Sequence, residues 1–377
     1  MAINLRSPIF IGNTISVDGY NVYEIYIYEV TQPATPQYTI RKNYNSNFNA
    51  GKIEISELVR DYLEINFDGD YTSQAIKVSV DVEEFESNGS SFTDTIYDGE
   101  IAFDSYSYFE ESGFDVIDNP IMISNRLIFG LADNLVRVPI NTSKSPTVTF
   151  LRNGNVVGTQ TYTADSVVAN QIKYATINGE SNEDNFVERI VNGGGSFEPN
   201  VCINKFLDEF EIGEVDTIIV DSSTTNPEII NVKVLEECKY TPKKVTFINK
   251  FGALQDMYFF KKSVEQMNIK KENYKANILD SNFGYDRSTH VNRDFNLSGN
   301  ESITLSSGYL SEEYNEVFKQ LLLSEKVWVT NITDTEEQVL PINVKTSNIT
   351  YKTSLNDRLV EYTIEFDNSY NVINNIR

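Results

Sequence analysis

Period-two alternation of apolar and polar residues runs through this chain, and it commits most of the polypeptide to pleated sheet. Near the end, Val360, Tyr362, Ile364 and Phe366 alternate with Glu361, Thr363, Glu365 and Asp367. Successive side chains of a strand point to opposite faces, so this pattern is that of a half-buried strand. Ile76, Val78, Val80 and Val82 alternate in the same way with Lys77, Ser79 and Asp81. Val22 to Val30 reads as another strand, with Tyr23, Ile25 and Ile27 on one face and Val22, Glu24, Tyr26 and Tyr28 on the other. Thr147–Phe150 and Asn155–Thr161 flank Asn153-Gly154, a hairpin signal because both turn residues tolerate positive φ. The chain has 22 Tyr and 22 Phe against one Trp. Such rings suit pleated, half-buried surfaces and also interfaces, where a Tyr buries its ring and keeps its hydroxyl wet.

Two helices stand out against this background. Ser56 is placed to cap a helix over Glu57–Glu64, whose first-turn acids favour the positive N-terminal end. Ser311 precedes Glu312-Glu313 in the same way, and Tyr314, Val317, Phe318, Leu321 and Leu322 follow at helical spacing, which predicts a helix over 311–324. Strand-like sequence follows each, so both helices are expected to cover a sheet. The predicted class is mostly β, all-β to α+β, built of several small β-sandwich or β-barrel-like modules with two short covering helices. The 377 residues are enough for more than one domain. A first β domain with one helix is expected at 1–120, a middle β domain at 121–235, and a third β domain with the second helix at 236–377. Asn192-Gly-Gly-Gly-Ser196 and the polar run Gly179–Asn185 mark a loop or hinge in the middle domain. Ser124-Asn-Arg-Leu-Ile-Phe before Val138-Pro-Ile-Asn141 echoes Ser324-Glu-Lys-Val-Trp-Val before Leu340-Pro-Ile-Asn343. A duplicated module and a coincidence between two hairpins both fit that echo.

Charge and cysteine content exclude several classes. Lys and Arg total 31 against 55 Asp and Glu, a net charge of −24. That balance repels nucleic acid and anionic membrane, while it keeps a subunit dispersed before assembly. Two cysteines, Cys202 and Cys238, do not make a disulfide scaffold, so packing must hold the fold. The start, Met1 to Phe10, lacks a basic stretch followed by a long apolar run, so no secretory signal is expected. No run of 18 apolar residues occurs, so no membrane insertion is expected.

Catalytic chemistry finds little purchase. His290 is the one histidine; Ser288 and Asp294 lie nearby, but the run Tyr285 to Asp294 reads as a polar surface loop, and no Gly-x-Ser-x-Gly elbow is present. One histidine and two distant cysteines do not make a zinc site. No carboxylate pair is singled out for glycosidase work by spacing or apolar surroundings. Asp68-Gly-Asp70 departs from the calcium-loop pattern and reads as a turn, and Asn192-Gly-Gly-Gly lacks the Lys-Ser/Thr of a phosphate loop. No cofactor, no metal and no enzymatic activity are expected.

The charge is unevenly spread. Residues 1–120 hold 21 acids and six bases, whereas residues 233–275 hold ten lysines and five acids. Lys243, Lys244, Lys250, Lys261 and Lys262 are therefore candidates for contact with an acidic face of a neighbouring subunit. The alternative is that they form the solvent side of a hairpin, Lys243–Ile248 with Asp256–Lys262.

Three segments carry a resemblance: Glu54-Ile-Ser-Glu-Leu-Val-Arg-Asp-Tyr62, Phe247-Ile-Asn-Lys-Phe-Gly-Ala-Leu-Gln-Asp-Met-Tyr-Phe-Phe-Lys261 and Glu316-Val-Phe-Lys-Gln-Leu-Leu-Leu-Ser-Glu-Lys-Val-Trp328. In order and spacing, over nearly the whole chain, the sequence resembles a family of virion proteins of tailed phages that infect Bacteroidetes and related marine bacteria. The segments read as a capped helix, a tight hairpin through Asn249–Gly252 and a helix leading into a strand. The resemblance implies a place in the phage particle, in the tail or baseplate, and carries no catalytic residues with it. The expectation is thus a virion subunit, assembled in the host cytoplasm, that forms a ring or collar with copies of itself and other phage structural proteins. Receptor binding or head decoration, with a host-surface glycan as partner, is the alternative; Tyr106-Ser-Tyr-Phe109 would then stack on sugars. A polysaccharide-degrading tail enzyme ranks third.

Overall fold

The structure, a computed structural model, describes residues 2–12, 18–44, 51–71, 75–111, 119–131, 136–142, 145–162, 172–177, 215–222, 226–235, 239–332, 337–350 and 359–373. The Gly-rich run 192–196, the polar run 179–185, Cys202 and Cys238 lie outside the described residues. The fold is mostly β, with several separate sheets and two α-helices among the described residues. The chain divides into two compact units. The first comprises Met1–Glu237, Thr246–Met257 and Glu313–Ser324; the second comprises Cys238–Val245, Tyr258–Glu312 and Glu325–Arg377.

The first unit opens with β1 (Ala2–Asn4), β2 (Phe10–Ile11), β3 (Gly19–Tyr28), β4 (Tyr38–Tyr44), β5 (Ile53–Glu54), α1 (Ser56–Arg60), β6 (Ala75–Glu86) and β7 (Ser91–Phe103). Five of these strands form a sheet in the order β1-β7-β6-β3-β4. Alternation decides its faces as expected: Tyr23, Ile25 and Ile27 join Ile76, Val78, Val80 and Val82 in one core. Val59 of α1 packs into that core, so this helix lies on the sheet. Gly99, at φ +68, sits at a register shift between β6 and β7 and donates its N–H to Ser79 Oγ at 2.9 Å. That is the conformation a bulge asks of glycine.

The first helix departs from expectation at both ends. Ser56 lies inside it and makes no cap; Ile55 holds the N-cap position. The capping group is the Glu54 carboxylate, which accepts from Ser56 N at 2.8 Å, Ile9 N at 3.1 Å and the Ser56 hydroxyl. Burial alone would raise this carboxyl, but these donors outweigh burial and hold it below its ordinary range. The helix stops at Arg60 rather than at residue 64. Tyr62 N and Leu63 N bond three residues back, to Val59 O and Arg60 O, and so tighten the last turn.

A second group of strands follows: β8 (Leu127–Leu131), β9 (Val136–Asn141), β10 (Thr147–Arg152), β11 (Asn155–Thr161), β12 (Ile172–Ile177), β13 (Thr217–Asp221) and β14 (Glu228–Leu235). They make a five-stranded sheet, β11-β10-β13-β14-β8, and the pair β12-β9. Val138 and Ile140 of the pair share one core with Val148, Phe150, Ile218, Val220 and Ile230 of the sheet. The turn between β10 and β11 is Asn153-Gly154, with φ +49 and +79, the conformation those two residues predicted.

The remaining elements are β15 (Lys243–Ile248), β16 (Leu254–Phe259), β17 (Val264–Lys275), β18 (Asn292–Ser306), β19 (Leu310–Ser311), α2 (Tyr314–Leu323), β20 (Val327–Ile332), β21 (Glu337–Val344), β22 (Leu359–Val360) and β23 (Thr363–Asn368). Residues 246–257 at the turn end of β15 and β16, and α2, belong to the first unit. Tyr314, Val317, Phe318 and Leu321 are buried on one face of α2, while Leu322 is half-buried and Gln320 takes a fully buried place. Ser311 does not cap this helix, because its backbone pairs with Leu359 in the β19–β22 ladder; Glu313 holds the N-cap position without a side-chain bond.

A seven-stranded sheet has the order β16-β15-β20-β21-β23-β18-β17. Phe259 meets Phe366 edge to face at 6.1 Å in its interior, and Leu305, Val327, Val329, Ile342 and Ile364 are buried beside them in the sequence pattern. This leaves β17 as an edge strand.

The turn joining β15 to β16 gives a test of what packing adds to backbone strain. Gly252 and Gly154 share φ +79, but a Cβ on Gly252 would stand 2.9 Å from Phe103 Cβ, whereas one on Gly154 meets nothing within 4 Å. Gly154→Ala is expected to lower stability by about 1 kcal/mol, the left-handed penalty alone. Gly252→Ala is expected to cost roughly 2–4 kcal/mol, since overpacking is added to that penalty. Urea unfolding of the two variants side by side checks the difference; equal losses would remove the packing argument.

Candidate functional site

The pairing of β17 and β18 continues well past the sheet that carries it. Residues Ser302–Ser306 of β18 pair with β23, and Gly299 O accepts Val372 N at 2.9 Å. From Asn292 to Ser298, β18 pairs among the described residues with β17 alone. All twelve residues of β17 are exposed, as are Asn292–Leu297 of β18. The hairpin 264–306 is therefore an arm with a root in the sheet and an outer two-stranded ribbon.

That ribbon shows apolar residues to solvent. Ile269, Tyr274, Phe295 and Leu297 are exposed along it, and Leu279, Phe283, Tyr285 and Val291 are exposed in the connecting loop. Isolated two-stranded ribbons are marginal in water, and contiguous exposed apolar surface marks an interaction site. Tyr274 packs edge to face on Phe295, Lys271 pairs with Asp294 at 3.3 Å, and the shift between Lys270 and Glu272 places Asn296 at φ +51. These contacts hold the ribbon's form without covering its rings.

The loop at the tip is built around two aspartates. Asp280 Oδ1 accepts Asn282 N at 2.9 Å and Gly284 N at 2.7 Å, and Asp280 O accepts Phe283 N. Asp286 accepts the backbone and hydroxyl of Ser288, which hold its carboxyl below its usual value. Phe283 sits between them at φ +61 with 83 % of its surface exposed. A bulky residue with positive φ is rare, and the Asp280 bonds are what keep it there. His290 lies exposed in the same loop, as the sequence predicted, and Arg293 Nε donates to its carbonyl.

At the root, one face of the sheet forms an open cavity of about 270 Å³. Cross-strand partners share a face, so the register brings Glu265 and Ile303 of facing strands together, then Met267 and Glu301. Gln266, Ser302, Val329, Asn331, Leu340, Asn368 and Tyr370 complete the lining. Asn368 Nδ2 donates to Glu301, and burial together with the Glu301 charge raises the Tyr370 phenol. The lining mixes apolar and polar side chains, and its two charged groups, Glu265 and Glu301, are acidic. Among the described residues no cluster of three or more His, Cys, Asp or Glu is placed to hold a metal ion.

The five lysines singled out by charge are divided between the two units. In the second unit, Lys243 is half-buried and donates to Asn331 Oδ1 at 2.8 Å, Lys244 is 4 % exposed, and Lys261 and Lys262 are exposed. In the first unit Lys250 is buried: its ammonium is bound to Glu111 and lies 4.8 Å from the Tyr108 ring. Lys319 covers the same ring at 3.4 Å, and Tyr108 donates to Glu316 at 2.6 Å. Tyr106 is buried and its phenol is pushed up to about 12, chiefly by that burial; Phe109 is fully exposed. The residues that stand out as a binding surface, Ile269, Phe283 and Leu297, were not singled out by sequence, because β17 has no clean alternation to announce itself.

The Lys250–Glu111 pair gives a pH test of the first unit. Burial would raise the Glu111 carboxyl, but the Lys250 bond and the Tyr108 N–H outweigh it and depress it below its ordinary 4.5. The stability it contributes is present above that value and is lost as pH falls through the lower folded value. Lys250→Met is expected to lower stability at pH 7 by about 1–3 kcal/mol, because a charged acceptor loses its donor. The variant should also lose part of the acid-induced fall in urea midpoint below pH 4.5; an unchanged acid profile would show that Lys250 does not set this carboxyl.

No protein-family model matches this chain, and no curated protein matches it with significance.

Proposed function

We propose that this protein is a structural subunit of a tailed-phage virion, in the tail or baseplate, which assembles into a ring or collar through its exposed hairpin arm. The observation that carries the reading is the arm 264–306, whose outer ribbon and tip hold eight large apolar residues exposed in the single chain. A ribbon so poor in its own contacts is stabilised by burial against another surface. The net charge of −24 supports the same reading, since it keeps free subunits apart until a specific contact forms. The resemblance of 54–62, 247–261 and 316–328 to phage virion proteins supplies the particle.

Receptor binding is the second reading. It is favoured by Phe283 and Tyr285, both exposed on a loop at the far end of the arm, where rings can stack on sugar. The partners are then a host-surface glycan and the rest of the tail. The enzymatic reading gains no observation: His290 is exposed in a loop and does not line the cavity at the root of the arm.

Light scattering on the purified chain is expected to give a defined oligomer, and replacement of residues 271–297 by Asn-Gly to give a monomer. That short turn joins Lys270 to Ser298, which already face each other in the ladder. Mass spectrometry of particles purified from the encoding phage is expected to find the polypeptide in fixed ratio to the other tail proteins. Absence from the particle would sink the virion reading. A monomer that binds host glycan would move the assignment to receptor binding.

A further inference from the structure

The arm carries two unlike surfaces, one at the tip and one at the root. Seven residues of β17 separate Met267 at the cavity from Lys275 at the start of the loop, roughly 26 Å of strand at about 3.3 Å per residue. The tip therefore does not fold back onto its own root. We infer that the tip of one copy's arm seats in the root cavity of a second copy, with Phe283 against Met267 and Ile303 and Arg287 facing Glu265 and Glu301. This rests on the self-assembly reading above and specifies its contact.

Charge selects a second copy as the occupant. Residues 264–297 hold five acids and five bases in a chain whose total is −24. The arm is thus a stretch of surface that can approach another copy without meeting the general repulsion. At the tip, Asp280 and Asp286 are turned inward onto the loop's own N–H and hydroxyl groups. The outward side chains are Phe283, Tyr285, Arg287 and His290, apolar and basic. The cavity can answer both, since it sets Met267, Ile303 and Val329 beside polar Asn331 and Asn368, and its two charged groups, Glu265 and Glu301, are acidic. Its volume of about 270 Å³ falls just under the roughly 300–1,000 Å³ of small-molecule sites, which suits an inserted side chain.

The geometry has a consequence for symmetry. Tip and root are different patches, so a head-to-tail contact generates a ring where the rotation closes and a filament where it does not, and a reciprocal contact generates a twofold pair. Both place Phe283 beside Met267 of another copy.

The test uses the full chain. With Cys202→Ser and Cys238→Ser as background, Phe283→Cys combined with Met267→Cys is expected to cross-link between copies on mild oxidation, giving covalent dimers or a ladder. Phe283→Asp is expected to weaken self-association on the order of 30-fold or more, as loss of a central anchor does. Arg287→Glu and Glu301→Lys are each expected to weaken it roughly tenfold, and the double variant to recover most of that loss. Phe283, Arg287 and Glu301 are exposed, so the variants should keep the circular dichroism of the parent. If replacing 271–297 dissociates the oligomer while Phe283→Asp leaves its affinity unchanged and no cross-link forms, this contact is wrong and assembly through the arm stands. If the parent chain stays monomeric at every concentration, both fail.

Discussion

The side-chain amide of Asn249 is the point on which the first unit's long-range order turns. Its oxygen accepts Phe251 N at 2.9 Å and Ala253 N at 3.1 Å, and its nitrogen donates to Met122 O at 2.7 Å and to Gln255 at 3.0 Å. The residue is fully buried, so every one of these bonds replaces water that is not there. One amide thus shapes the turn of residues 249–253 and ties it to a segment more than a hundred residues earlier. Gln255 extends the tie to Asn125, and Gln320 of α2 binds Ser124. Buried polar groups are costly unless each finds its partner, so this network selects one arrangement of three distant pieces of chain over many others.

Near it, Tyr71 donates to Asp256 at 2.5 Å, and the Arg137 guanidinium lies over the Tyr71 ring at 3.9 Å and 3.8 Å from Asp256. Burial, then the Asp256 charge, pushes the Tyr71 phenol well above its ordinary value, so it stays a donor. The same logic recurs in the Tyr108, Glu316 and Lys250 group. Polar contact of this kind fixes position, while Phe103, Phe150 and Phe318 supply the buried apolar area.

The parts of this fold that were legible in sequence are those where local pattern and burial agree. The alternation over 22–28, 76–82 and 362–366 assigned strands and their inner faces, and Asn153-Gly154 assigned a turn with both φ values positive. Helix caps were less legible. Serine at 56 and 311 had the right composition, but Glu54 reached the orphan N–H of Ser56 from outside the helix, and strand pairing had already claimed Ser311. The arm was legible neither as an arm nor as a site. Its residues Val264–Lys275 alternate imperfectly, and exposure on both faces is a property of what the rest of the sheet fails to cover. Lys250 illustrates the converse: charge in a sequence says nothing of burial when an acid and a ring from elsewhere in the chain come to meet it.

The membership of residues 246–257 and 313–324 in the first unit has a consequence for how the chain is made. Residues 1–237 emerge from the ribosome without the turn that carries Asn249 and without α2, whose buried face includes Tyr314, Phe318 and Leu321. At the usual 5–20 residues per second, the 87 residues from 237 to 324 take roughly 4–17 s to synthesise. For that interval the nascent first unit exposes the apolar slots that α2 and the turn will fill. A binder of nascent chains has its best opening then, and a truncation before residue 324 leaves that opening permanent.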